Sequence, residues 1–72
     1  MHLVAQNRQA VLNLDRCVGI SQSGQYIHVN PDNNSMVAAG RFATESRAEV
    51  EFARLIDALS TKINVFYVSQ EE

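Results

Sequence analysis

The sequence predicts an α+β fold: an antiparallel sheet of four to five strands, one amphipathic helix, and a C-terminal strand. Three features carry that expectation. Short β-branched and aromatic runs separated by turn residues fill the positions before Gly40. The stretch from Gly40 to Leu59, GRFATESRAEVEFARLIDAL, contains a strand end, a helix cap and a helical apolar period. Val65-Phe66-Tyr67-Val68 is then a bulky run too short for a second helix.

Leu3 and Val4 open a first strand that ends near Gln6 and Asn7. Val11 to Leu14 and Cys17 to Ser21 place Leu12, Leu14, Val18 and Ile20 on one parity, and Arg16 shares that face unless a bulge between Asp15 and Cys17 rotates it outward. Ser23-Gly24 marks a tight turn, after which Tyr26 to Val29 alternates Ile27 and Val29 against Tyr26 and His28. Asn30-Pro31-Asp32-Asn33-Asn34 combines a preset φ with residues tolerant of left-handed geometry, and reverses the chain again. Met36 to Phe42 returns as a strand.

Thr44 suits an N-cap, because its hydroxyl can accept a backbone N–H from the first turn, and Glu45 adds negative charge where the helix dipole favours it. The helix is expected from Glu45 to about Ser60, although Ser46 with Glu49 also fits a capping box two residues later. Ala48, Phe52, Leu55, Ile56 and Leu59 form one stripe at 3.6 residues per turn, and Arg47, Glu51, Arg54 and Asp57 read as the solvated side. Lys62 and Asn64 sit where the helix should end, and the tail from Ser69 to Glu72 is expected to fray.

The chain has 72 residues, enough for one small domain that buries only about 60% of its unfolded surface. Further burial by self-association is the simplest supplement, since Cys17 is the only cysteine and neither a disulfide framework nor a zinc motif can form from it. Hydrophobic residues at 46%, charged residues at 19% and a net charge of −2 disfavour disorder and a membrane span. Six Lys and Arg against eight Asp and Glu give no general attraction for phosphate backbones, so nucleic acid is a disfavoured partner. With no targeting segment visible, the expected location is cytoplasmic.

Three segments resemble a group of small proteins encoded by bacteriophages and mobile elements of Gram-positive bacteria. LVAQN is similar to that group's Ser-Gln-Asn or Ser-Gln-Asp opening. VAAGRFATESRAEVEFARLIDA is similar to its run of strand, aromatic, Thr or Ser cap, acidic pair, Ala and apolar helix, with Ser46 replacing the second acidic residue. VFYVSQEE resembles its aromatic strand and acidic tail, without the Pro common there. The resemblance implies a small α+β protein of mobile-element origin and carries no catalytic residue onto this chain.

No catalytic, metal or cofactor constellation assembles from the residues. Cys17 lacks an identifiable base and reads as a small hydrophobe. His2 and His28 stand on different strands without further ligands, and Asp15 and Asp32 suit turn chemistry. Gly19, Gly24 and Gly40 lack phosphate-loop spacing. Tyr26, Phe42, Phe66 and Tyr67 could stack bases if exposed together, rimmed by Arg8, Arg16 and Arg41.

The expected function is therefore non-enzymatic and cofactor-free: a homo-oligomeric interaction module that binds a protein partner of host or phage. Val65, Phe66, Tyr67 and Val68 are its candidate oligomer interface. The alternative that the resemblance suggests is an oligomer sequestering a nucleotide signal, with Arg8, Arg16, Arg41 and Arg47 as candidate ligand-binding residues.

Overall fold

The helix runs over Glu45–Ser60, where the cap predicts it. Thr44 has extended backbone angles, and its Oγ1 accepts the Arg47 N–H at 3.2 Å. In the computed structural model, which describes residues 1–70, this helix (α1) accompanies six strands: β1 (His2–Val4), β2 (Val11–Asn13), β3 (Gly19–Ser23), β4 (Tyr26–Asn30), β5 (Val37–Arg41) and β6 (Val65–Tyr67). The architecture is α+β, but the expected single antiparallel sheet is corrected. Two three-stranded sheets form, in the orders β2-β1-β6 and β3-β4-β5.

The division has a local cause. Between β2 and β3 the chain makes a 3₁₀ turn over Leu14–Arg16 in place of the expected bulge. Asn13 Oδ1 accepts the Asp15 N–H at 3.0 Å, and the Cys17 N–H returns to the Leu14 carbonyl at 3.3 Å. Side-chain and turn bonds thus replace ladder bonds and stop the first sheet there. The turn leaves Arg16 exposed, and it also leaves Val18 exposed, correcting the parity that placed Val18 with Leu12, Leu14 and Ile20.

β1 pairs antiparallel with β2 and parallel with β6, so the C-terminal strand does join an edge, but in the orientation that only a long connection can supply. The β3–β4 hairpin closes through Gly24-Gln25, with φ of 56° at Gly24, which a glycine adopts without a Cβ penalty. β5 returns along β4 with Ile27 opposite Gly40 and His28 opposite Ala38, leaving Ala39 as the extra residue of a bulge. Ala39 and Gly40 are consequently both buried.

The core draws on every layer: Leu3, Ile27, Val29, Ala39, Phe42, Ala48, Leu55, Ala58, Phe66 and Val68. Its helical contribution differs from the expected stripe. Ala48, Glu51, Leu55 and Ala58 are buried, Phe52 is half-buried, and Ile56 and Leu59 are exposed. At 100° per residue, the helix is rotated by roughly 60° from the face its largest side chains predict. Two alanines let it approach the sheets closely, and the turn brings Glu51 inward, where only 4% of it is accessible. This corrects the expectation that Glu51 belongs to the solvated side. Its burial is possible because its carboxylate meets a backbone donor of the C-terminal segment.

The helix ends in a Schellman arrangement. The Lys62 N–H reaches the Leu59 carbonyl at 3.3 Å, and the Ile63 N–H reaches the Ala58 carbonyl at 3.2 Å. Lys62 occupies the left-handed position at φ 58°, where glycine is the usual residue. No helix among the described residues is long and apolar enough to cross a membrane.

Candidate functional site

The four residues expected at an oligomer interface divide between inside and outside. Phe66 and Val68 are buried in the chain's own core, whereas Val65 is 40% and Tyr67 57% accessible. A period of two explains the division: one face of β6 lies under α1 and the other faces solvent.

The hydrogen bonds of β6 define its two edges. The His2 N–H donates to the Asn64 carbonyl at 2.9 Å, and the Val68 N–H donates to the Val4 carbonyl at 3.0 Å. In a parallel ladder this turns the backbone groups of residues 64, 66 and 68 toward β1 and those of Val65 and Tyr67 to the opposite edge. Among the described residues no strand pairs with that outer edge. Arg54 covers part of it, with Nη2 3.3 Å from the Tyr67 carbonyl oxygen and its guanidinium over the Phe66 ring, 4.9 Å from the centroid. Beside the edge lies a groove of about 350 Å³ lined by Arg54, Asp57, Ala58, Ile63, Val65, Phe66 and Tyr67. Ile63, like Val65 and Tyr67, is substantially exposed.

Beyond β6 the chain is held rather than frayed, correcting the expectation for Ser69 and Gln70; Glu71 and Glu72 lie outside the described residues. The Ser69 N–H donates to Glu51 Oε2 at 2.7 Å, and Arg54 Nη1 donates to Ser69 Oγ at 3.1 Å. Gln6 binds the same segment from the other side. Its Nε2 donates to the Ser69 carbonyl at 3.0 Å, and its own carbonyl accepts from Gln70 Nε2 at 3.2 Å. Its remaining groups join the second sheet: the Gln6 N–H reaches the Ala39 carbonyl at 2.8 Å, and Oε1 accepts the Arg41 N–H at 2.9 Å. Gln6 thus links β1, β5 and the C-terminal segment.

Sequence reasoning missed Gln6 and Glu51. A signal for Glu51 exists, because Ala48, Leu55 and Ala58 form a helical stripe that contains it once alanine is counted as core. Nothing local marks Gln6, whose partners lie tens of positions away.

The four candidate ligand-binding arginines stand on different elements. Arg8 sits in a turn at φ 61°, its Nη1 donating to the Val68 carbonyl at 2.7 Å and the Ala5 carbonyl at 3.2 Å, with its guanidinium 5.4 Å from the Tyr67 ring centroid. Arg16 is on the 3₁₀ turn, Arg41 ends β5, and Arg47 lies in the first turn of α1. Arg47 borders a groove of about 410 Å³ with Phe42, Ser46, Val50, Glu51, Arg54, Ser69 and Gln70, which shares none of the other three.

The aromatics are equally dispersed. Phe42 and Phe66 are buried, Tyr26 on β4 stacks on His28 with ring centroids 5.6 Å apart, and Tyr67 stands on β6 of the other sheet. Cys17 is half-buried, its thiol 3.2 Å from the Asn13 carbonyl oxygen. Among the described residues, no group of three or more His, Cys, Asp or Glu is placed to hold a metal ion. Comparison with protein-family models, curated proteins and solved structures finds no match to this chain.

Proposed function

We propose that this chain is a non-enzymatic interaction module that self-associates through the exposed side of β6 and binds a protein partner of host or phage. One observation carries the reading: β6 is anchored on its inner face by Phe66, yet presents Val65, Tyr67 and an outer backbone edge to solvent beside an apolar groove. An open edge flanked by exposed large side chains is a template for another chain. Arg41 and Arg47 line separate grooves and Arg8 is engaged by the Val68 and Ala5 carbonyls, which favours this reading over capture of a nucleotide signal, a task that needs several donors around one anion. A mobile-element origin rests on the likeness of the three sequence segments.

Size-exclusion chromatography with light scattering tests the self-association. The wild-type chain is expected to exceed the monomer mass at concentrations of about 100 µM, and Val65→Lys is expected to restore the monomer by placing charge at the contact. A wild-type mass equal to one chain throughout that range would remove the proposal.

A further inference from the structure

We infer that β6 pairs antiparallel with β6 of a second copy, Val65 opposite Tyr67 of the partner subunit, joining two three-stranded sheets into one of six strands. This rests on the self-association reading and specifies its contact.

Symmetry and backbone geometry set the register. A two-fold axis that brings the same edge of two copies together makes the paired strands antiparallel. In such a ladder, residues whose N–H and C=O face the partner exchange both bonds. On β6 those residues are Val65 and Tyr67, because the polar groups of residues 64, 66 and 68 face β1. Setting Val65 against Tyr67 of the partner subunit puts the axis beside Phe66 and uses the outward groups of both residues in each copy. A register that pairs Val65 or Tyr67 with its own equivalent on the axis uses only one of the two residues. The Tyr67 carbonyl can accept a ladder bond while retaining Arg54, since a carbonyl oxygen has two lone pairs.

The side chains agree with this occupant. Val65 and Tyr67 share the outer face, so the register creates two cross-strand pairs of a β-branched and an aromatic residue, a stabilising combination. The adjacent groove carries one cation, Arg54, and one anion, Asp57, three residues apart on α1. An antiparallel copy therefore offers unlike charge to each, a complementarity that a uniformly acidic or basic partner lacks. Neither proline nor lysine stands in β6 to block edge pairing. The contact is short, which sets its affinity in the micromolar range rather than that of an obligate dimer.

Residue-resolved amide exchange by NMR tests the register, comparing samples at about 50 µM and about 1 mM. Exchange of the Val65 and Tyr67 amides is expected to slow about three- to fourfold at the higher concentration, as the monomer fraction falls. The Phe66 amide, directed at β1 within one chain, is expected to stay unchanged. In parallel, the Val65→Cys/Tyr67→Cys variant in a Cys17→Ser background is expected to give a disulfide-linked dimer on non-reducing gels, because directly opposed residues lie within bridging distance. A dimer by light scattering whose Val65 and Tyr67 amides exchange at the same rate at both concentrations would overturn the strand pairing and leave self-association standing. A monomer at about 1 mM would overturn both.

Discussion

The Glu51 carboxylate accepts the Ser69 backbone N–H at 2.7 Å, binding the middle of α1 to the segment that follows β6. The acid is 4% accessible and its second oxygen lies 3.7 Å from Arg54 Nε. Among the described residues, no buried side-chain nitrogen or oxygen lacks a hydrogen-bond partner. This interaction adds to the β1 ladder and the burial of Phe66 and Val68 in holding the end of β6 against the helix.

Removing the carboxylate should loosen that arrangement. Glu51→Ala leaves the Ser69 N–H without its acceptor and opens space beside Leu55, for an expected loss of about 2 to 3 kcal/mol in urea denaturation. Glu51→Gln retains an acceptor oxygen, and its expected loss is about 1 kcal/mol. Equal losses for the two variants would show that the carboxylate charge, not the side-chain volume or a neutral acceptor, matters at this position.

Lys62 is the residue whose backbone geometry is least suited to its side chain. Its φ of 58° belongs to glycine at this point of a Schellman cap. Lys62→Gly is expected to stabilise the protein by about 0.5 to 1 kcal/mol, the relief of the left-handed strain exceeding the added chain entropy. A rise in thermal midpoint checks it, and a fall contradicts it.

Gly40 is close-packed. A Cβ there would stand 2.9 Å from Val68 Cγ1 and 3.3 Å from Phe42 Cε2, and both neighbours are buried. Gly40→Ala should therefore destabilise by about 1 to 3 kcal/mol through overpacking, measured by chemical denaturation. A variant as stable as the wild type would show that Val68 has room to shift.

Gln6 joins three segments through four polar groups, so truncation should affect more than one of them. Gln6→Ala removes the side-chain bonds to Arg41 N–H and the Ser69 carbonyl, with an expected cost of about 1 to 2 kcal/mol. Faster amide exchange at Arg41 would identify the cause; protection unchanged there would contradict it.

Local chemistry was legible in this sequence, and non-local pairing was not. Thr44, the acidic first turn and the apolar period place α1 within its observed ends, and Gly24 and the Asn30–Asn34 run mark both reversals around β4. The rotation of α1 escaped detection because weighting by side-chain size favours Phe52, Ile56 and Leu59 over Ala48 and Ala58, whose smallness is what permits close packing. The parallel β1–β6 pair joins the two ends of the chain, and no short-range pattern encodes it. For the candidate site, the apolar run at residues 65–68 marks a strand, but its uniform bulk conceals the alternation that buries Phe66 and Val68 and leaves Val65 and Tyr67 exposed.

Sedimentation equilibrium of the wild type beside Tyr67→Lys, from about 5 to 500 µM, tests the central claim most directly. The wild type should move from one to two chain masses with a dissociation constant in the micromolar range, while Tyr67→Lys stays at one mass and keeps its fold by circular dichroism. A wild type that sediments as a single chain at every concentration, or a Tyr67→Lys variant that dimerises equally well, would contradict the account.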